Sequence, residues 1–402
     1  MLLGLVVSVW VARYLGPGQF GELAYVLAYI ALFQAIATLG LDGIVVRDIA
    51  RDKSAAGNIL GTAFSLRLVA GTLCWLSAVA CMALIDGPES RSLLLVALAG
   101  GALVFQAADT VDLWFQSQSQ SRRTVLPKLA AYLLSNGIKV VLILGQAPIW
   151  AFAAVIALEA LVAALGLAIS YCRYPCRQQW TGAFRMARQL SSEAWPFMLS
   201  GVSIMIYMRV DQIMIRELLG EHELGIYAAI MPFSTALYFL PMVLVSSLAP
   251  IVARKKSENE VAYWALLENI FAGFSMLAWA ICIPIALFAN DLVHVFFGSE
   301  YQSGGKVLQI YVLTNIFIYM GVAQGLWLLN ERYSLISLYK TLIGVFICVV
   351  GNLIIIPYFG LVGAAIVAVL SQLFSAVLSN FFFSKKMLLI QLKSLVAPGL
   401  KF

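Results

Sequence analysis

The sequence predicts an all-α polytopic membrane protein, with about twelve transmembrane helices arranged as two six-helix lobes. Three observations carry this. Of 402 residues, 62% are hydrophobic and only 11% charged, and the mean hydropathy is +0.92; a soluble domain carries roughly 25% charged residues, so there is too little polar surface here to coat a water-soluble globule. Apolar runs recur along the whole chain, most of them near the roughly 20 residues that cross a bilayer as a helix. A short glycine pattern occurs twice, as Leu15-Gly16 followed by Gly21, and 204 positions later as Leu219-Gly220 followed by Gly225.

In order, the apolar runs fall at about 1–12, 22–41, 58–85, 92–115, 125–146, 148–171, 194–215, 224–251, 264–289, 306–329, 335–356 and 360–383. A transmembrane barrel would show alternating segments of about 10 residues, and none is present. The first run is too short to span, and it lacks the positive flank of a signal peptide. The expectation is therefore a first helix cut short. The longest connection, 172–193, is basic and divides six runs from six. The expected organisation is an N-terminal transmembrane lobe at 1–171, an inter-lobe linker at 172–193, a C-terminal lobe at 194–384 and a basic tail at 385–402.

The charges set the orientation. Nineteen Lys and Arg residues, among them Arg47, Lys128, Arg254, Lys340 and Lys386, fall in one set of alternate loops and the tail; four, Arg13, Arg91, Arg216 and Lys306, fall in the other. The positive-inside rule places the nineteen in the cytoplasm, with both ends of a complete chain inside. The net charge of +6 thus reads as topology, not as a nucleic-acid footprint. Each glycine pattern sits in the outer loop between the first two spans of its half. Parallel repeats about an axis along the membrane normal are a transporter construction, with the substrate site between lobes.

Three further stretches join the first repeat in suggesting a family. "ARYLGPGQFGELAYVLAYIALFQAIATLGLDGIVVRDIAR" (12–51) and "YMRVDQIMIRELLGEHELGIYAA" (207–229) are the more specific; "DLWFQSQSQ" (112–120) and "IIPYFGLVGAAIVAVLS" (355–371) are looser. Together they sample both lobes. The chain resembles bacterial oligosaccharide flippases, which export O-antigen repeat units, within the multidrug/oligosaccharidyl-lipid/polysaccharide exporter superfamily. The resemblance implies a two-lobed transporter with a central cavity in the bacterial inner membrane. It implies an undecaprenyl-pyrophosphate-linked oligosaccharide as substrate, and other polysaccharide-assembly membrane proteins as conceivable partners. Family members carry a cytoplasmic lead-in and a full first helix, which this sequence does not show.

Ionisable groups inside spans are costly and are functional candidates by default. Arg67, Asp109 and Asp112 share a depth, and Asp109 and Asp112 share a helix face, so a structural Arg–Asp cluster explains all three. Lys139 and Glu159 differ in depth by roughly 6 Å, which long side chains bridge. The alternative is that Glu159, alone among apolar neighbours, faces the cavity and titrates. Arg209 and Asp211 point about 200° apart on a helix and do not pair. Asp211 is close enough to the outer surface to meet the loop. Either another helix supplies Arg209 with an acid, or it faces water; in the second case its fork of donors suits a pyrophosphate. Arg47 could meet an anionic head group or anchor the inner end of its span. The candidates for substrate binding are thus Arg209, Arg67, Lys139 and Arg47; those for ion coupling are Glu159, Asp109, Asp112 and Asp211.

Pro232, Pro241, Pro250 and Pro284 are expected to bend the eighth and ninth spans. Trp10, Trp114, Trp150, Trp195 and Trp327 lie near span ends, where interfacial anchoring explains them. The six cysteines read as free thiols, because only His222 and His294 could complete a zinc site. No metal, nucleotide or cofactor motif is present. A membrane polymerase or ligase would need a catalytic loop or domain at the surface, and every outer loop is short. The expectation is a transporter and not an enzyme, with a small-molecule or peptidoglycan-precursor exporter as the alternative cargo class.

Overall fold

The computed structural model describes residues 2–174, 179–331 and 333–396, and every regular element among them is helical. Among the described residues, ten helical runs are long and apolar enough to cross a membrane. Two of these, Leu3–Arg51 and Leu335–Phe383, hold 49 residues each. At 1.5 Å per residue each is about 74 Å long, more than twice the roughly 30 Å hydrocarbon core. The break at Gly360 divides the second into two stretches of span length, whereas Gly16 leaves only about 20 Å of helix before it in the first; the ten runs thus hold eleven full crossings and one short first helix.

Leu2–Leu15 and Glu22–Arg209 form one compact unit. It begins with α1 (Leu2–Ala37), whose helical course is interrupted at Gly16. After the irregular residues 38–41 comes α2 (Asp42–Arg51). The interruption has a φ of +55° at Leu39 and +65° at Gly40; a bulky residue in that region is an outlier that its surroundings must hold. Next are α3 (Ala56–Ile85) and α4 (Arg91–Ala99), the latter capped by Ser90, whose hydroxyl accepts from the Leu93 amide at 3.2 Å. The same span continues through α5 (Ala102–Phe105), a 3₁₀ turn (Gln106–Asp109) and α6 (Thr110–Ser117). A hairpin of α7 (Arg122–Leu144) and α8 (Ile149–Cys172) follows. Phe184–Leu219 is α9, whose first part completes this unit. The core on the side of the basic loops is built from Leu41, Val45, Ile49, Leu60, Trp114 and Phe115.

The second unit gathers Gly16–Gly21 and Val210–Phe402. It holds the end of α9, then α10 (Glu221–Thr235), a 3₁₀ turn (Ala236–Tyr238) and α11 (Phe239–Glu258). Pro232 lacks the N–H that would bond the Ala228 carbonyl one turn before it. Then come α12 (Glu260–Leu287), α13 (Ala289–Phe297), α14 (Gly304–Tyr311) and α15 (Thr314–Asn330). The long α16 (Ser334–Leu373) is interrupted at Gly360 and runs into a π-turn (Phe374–Leu378), α17 (Asn380–Phe383) and α18 (Lys385–Val396). Tyr263, Leu267, Phe271, Tyr319, Met320 and Trp327 form its core.

The glycine repeat has a structural reason. Gly16 (φ 69°, ψ 168°) and Gly220 (φ 95°, ψ 176°) share one conformation that essentially only glycine adopts. Gly21 and Gly225 lie within the same unit, where the two copies meet. A Cβ on Gly21 would strike the Glu221 carbonyl and the Gly225 amide; a Cβ on Gly225 would strike the Pro17 carbonyl. One glycine of each pair turns the chain, and the other admits a neighbouring backbone.

Large apolar side chains such as Leu84, Leu144, Leu287 and Phe346 stand at the surface, as a bilayer-facing exterior requires. Two of the five tryptophans do not fit the anchoring expectation. Trp10, Trp150 and Trp195 are about half exposed, but Trp114 and Trp327 are each 3% exposed and belong to the cores. Cys74, Cys81, Cys172, Cys282 and Cys348 are free thiols; Cys176 lies outside the described residues.

Candidate functional site

Within the N-terminal unit, α1, α5, α7, α8 and the 3₁₀ turn line a half-open cavity of about 450 Å³. Its wall is apolar, from Leu27, Ile30, Leu103 and Ile156, and five polar side chains interrupt it: Gln34, Gln106, Asp109, Lys128 and Glu159. That combination, an apolar wall with a few convergent polar groups, is the usual construction of a ligand pocket.

Asp109 ends the 3₁₀ turn, and Asp112 lies in the first turn of α6. Their common counter-ion is Lys128 of α7, with Nζ 2.8 Å from Asp109 Oδ1 and 2.8 Å from Asp112 Oδ2. Lys128 follows Pro127, and Gly166 of α8 lies directly against Pro127, which packs α7 closely on α8. Side-chain exposures of 38% for Lys128 and 37% for Asp109 leave this triad open to solvent. Gln106 adds a buried Oε1 that accepts no hydrogen bond.

Glu159 stands on α8 and receives a hydrogen bond from the Ser135 hydroxyl at 2.5 Å. Lys139 Nζ lies 3.9 Å from Glu159 Oε2. The expected Lys139–Glu159 pair forms, and Glu159 lines the cavity as well. It is not alone among apolar neighbours, because Ser135 is one helical turn before Lys139 and both sides of the α7/α8 hairpin contribute.

The expected Arg67–Asp109–Asp112 cluster does not form. Arg67 is 3% exposed and pairs at 2.5 Å with Asp42, at the start of α2. The irregular backbone at 38–41 delivers Asp42 to that place, and matching depth across one hairpin could not have shown it. The sequence reading missed Lys128 as the partner of Asp109 and Asp112, having counted it among the basic-loop cations. The available signal was Pro127-Lys128 inside an apolar helix, opposite two acids with no other assigned partner.

The remaining candidates are elsewhere. Arg47 binds Asp48 at 2.8 Å and Glu193 at 2.7 Å, and is 56% exposed. Arg209 is half-buried and has no ion pair among the described residues. Asp211 meets the facing helix. It is 7% exposed and accepts the Tyr227 hydroxyl at 2.7 Å from the facing helix α10. Around it lie buried polar residues of the second unit: Gln212, Ser234, and Asn315, whose amide donates to Ser234 Oγ at 2.7 Å.

Lys340 was also placed in a basic loop and is a correction. It lies inside α16 and is 6% exposed. Its ammonium donates to Gln324 Oε1, to Asn380 Oδ1 at 3.1 Å and to the Ala376 carbonyl at 3.2 Å. Ala376 belongs to the π-turn, where an extended hydrogen-bond register changes the partners of the carbonyls. No carboxylate pairs with this lysine among the described residues.

Comparison with known proteins agrees with this architecture. A multidrug resistance MATE family transporter of the MOP superfamily, in an inward-facing conformation, superposes with a TM-score of 0.73 over 98% of this chain and 96% of its own, at 17% identity. The lipid II flippase MurJ, in an inward closed conformation, superposes with a TM-score of 0.72 over 99% and 89%, at 12% identity. At such identities the likeness concerns the fold. By sequence, the capsular polysaccharide biosynthesis protein CapF of Staphylococcus aureus is 27% identical over 192 residues, 44% of this chain and 45% of its own. The probable low-salt glycan biosynthesis flippase Agl15 of Haloferax volcanii is 24% identical over 208 residues, 50% and 43%. The match thus spans less than half the length of each of these two relatives. The polysaccharide biosynthesis protein family matches residues 1–256, well over half of the chain and including the whole cavity of the N-terminal unit. This multi-pass membrane protein, with its MATE- and MurJ-like helical fold, therefore belongs to the polysaccharide biosynthesis protein family.

Proposed function

We propose that the protein moves an undecaprenyl-pyrophosphate-linked oligosaccharide, an O-antigen or related repeat unit, from the inner to the outer leaflet of a bacterial inner membrane by alternating access. The observation that carries this reading is the cavity holding Asp109, Lys128 and Glu159 within an apolar helical unit. A solvated, charged, amide-lined space offers hydroxyl-rich head groups the hydrogen bonds they would lose on leaving water. Its volume is that of a small-ligand pocket, so it accommodates part of a glycan, while the lipid tail stays in the bilayer.

Arg209, free of an acidic partner among the described residues, is the leading candidate for the pyrophosphate. Arg67, Lys139 and Arg47 are the further cationic candidates, and each already has a carboxylate partner that the substrate would have to displace. Glu159, Asp109, Asp112 and Asp211 are the candidates for coupling to a proton or sodium gradient. The basic loops and both ends of the complete chain face the cytoplasm in this reading. Chemistry on the substrate is not required: the protein acts as a transporter, with no cofactor.

The likeness to a lipid II flippase and to a multidrug transporter supports a second cargo class, a peptidoglycan lipid precursor or a small molecule. One experiment separates these. A labelled undecaprenyl-pyrophosphate oligosaccharide is placed in one leaflet of proteoliposomes, and its arrival in the other is followed beside lipid II and a cationic dye. Movement of the oligosaccharide alone by wild type, and its loss in Arg209→Ala, is the expected result. Movement of the oligosaccharide by both proteins would remove Arg209 from the site. Movement of only lipid II or the dye would replace the cargo.

A further inference from the structure

The last described helix carries three separate stripes. Met387, Ile390, Gln391 and Ser394 of α18 recur at helical spacing and are each 6% exposed or less. Met387 and Ile390 join the core of Tyr263, Leu267 and Trp327. Leu389, Leu392 and Val396 form a second stripe, exposed by 57%, 38% and 86%. Lys386 and Lys393 make the third, Lys385 stands at the helix start in line with the apolar stripe, and α18 contains no acid.

The buried stripe fixes the rotation of α18 about its own axis, and an amide cluster fixes its register. Gln391 Oε1 accepts from the Asn380 amide at 2.6 Å. Its Nε2 donates to Gln324 Oε1 at 3.4 Å and to the Ala376 carbonyl at 3.3 Å. These acceptors are the ones that hold the Lys340 ammonium. The outward stripes are therefore presented in one fixed way, keyed to α15 and α16.

Three further observations say what covers them. Twelve residues make about 18 Å of helix, too short to cross the hydrocarbon core. Only Ser384 separates α18 from the last span, and Phe381 and Phe382 just before it are 58% and 79% exposed. Lys386 Nζ sits 3.5 Å from the ring centroid of Trp264, in the first turn and a half of another span. Thus α18 lies beside the ends of two spans, at the depth of lipid head groups. A helix there with leucines on one exposed stripe and lysines on the next has the pattern of an interfacial helix with a preference for negative charge.

We propose that α18 is a membrane-surface helix that recognises anionic phospholipid. Leu389, Leu392 and Val396 insert among the acyl chains, and Lys385, Lys386 and Lys393 meet the head groups. Gln391 ties the bound helix to α15 and α16 through the amide cluster.

The test uses the full chain in zwitterionic micelles, titrated with phosphatidylglycerol, phosphatidylcholine or inorganic phosphate, with Tm as the readout. Phosphatidylglycerol is expected to raise Tm, and the other two to leave it unchanged. At about fivefold per lysine, Lys385→Gln, Lys386→Gln and Lys393→Gln together weaken the half-saturating phosphatidylglycerol concentration by ~100-fold. A second measurement covers the case in which that variant does not fold. Bimane on Leu389→Cys, in a background without other accessible thiols, is expected to be quenched by brominated lipid in bilayers. An equal response to both lipids, an unchanged response in the triple variant, a shift produced by phosphate alone, or bimane quenched only from water would each overturn the proposal.

Discussion

The cavity of the N-terminal unit and the amide cluster of the C-terminal unit keep their charges in opposite ways. In the N-terminal unit they stand in pairs around a cavity: Lys128 between Asp109 and Asp112, and Lys139 near Glu159, all between about one-sixth and two-fifths exposed. In the C-terminal unit Lys340 stands among neutral groups, held by two amides and a carbonyl and less than a tenth exposed. Partly solvated pairs contribute little to stability and are readily exchanged for other partners. Buried single charges with saturated neutral partners hold a structure in place, because any vacancy leaves desolvated polar atoms. The contrast assigns exchangeable chemistry to the first unit and fixed geometry to the second.

Four variants test that contrast, in descending order of expected effect. Lys340→Ala removes one donor from Gln324 Oε1, Asn380 Oδ1 and the Ala376 carbonyl, which each keep a second one, and empties the space its long side chain fills, so a loss of about 2 kcal/mol or more is expected; thermal unfolding in detergent measures it. Lys128→Met is expected to lower stability by only about 1 kcal/mol, since its pairs are over a third exposed, yet to abolish flipping. Adding Asp109→Asn should restore part of the stability lost there. If Lys128→Met unfolds the protein as readily as Lys340→Ala, the two units do not differ in the way described. Glu159→Gln keeps the Ser135 contact and is expected to leave Tm nearly unchanged while abolishing gradient-driven transport; full retention would remove Glu159 from coupling. Arg47→Ala, losing a pair that is 56% exposed on the arginine side, is expected to leave Tm where it was.

The fold was legible because its signal is collective. Apolar runs of span length, the alternating basic loops and the repeated glycines each sum over many residues, so errors at single positions cancel. Pairing across a short hairpin was legible too: four residues, 145–148, join α7 to α8, so Lys139 and Glu159 had few ways to miss each other. Arg67 was not, because depth fixes a position along a helix but not a direction around it. Its partner, Asp42, arrives from a broken helix that no periodicity announces. Lys128 and Lys340 were misread for one shared reason. Each lies within a few residues of a span end, where the positive-inside rule explains any lysine, so the rule hid two cations that turn inward. Trp114 and Trp327 were lost in the same way, as ends of spans that happen to be buried.

The contact between Gly21 and Gly225 has a consequence of another kind. The first copy of the pattern offers Pro17 and Gly21, the second offers Glu221 and Gly225, and the matching glycine of each copy lies against the other. A surface that meets its own equivalent is what two identical subunits present across a two-fold axis. In a homodimer, one mutation there would alter both sides of the contact at once. In this single chain the two sides are encoded separately, so each is free to drift while the other holds still. Only the requirement that neither glycine gain a side chain keeps that symmetry visible.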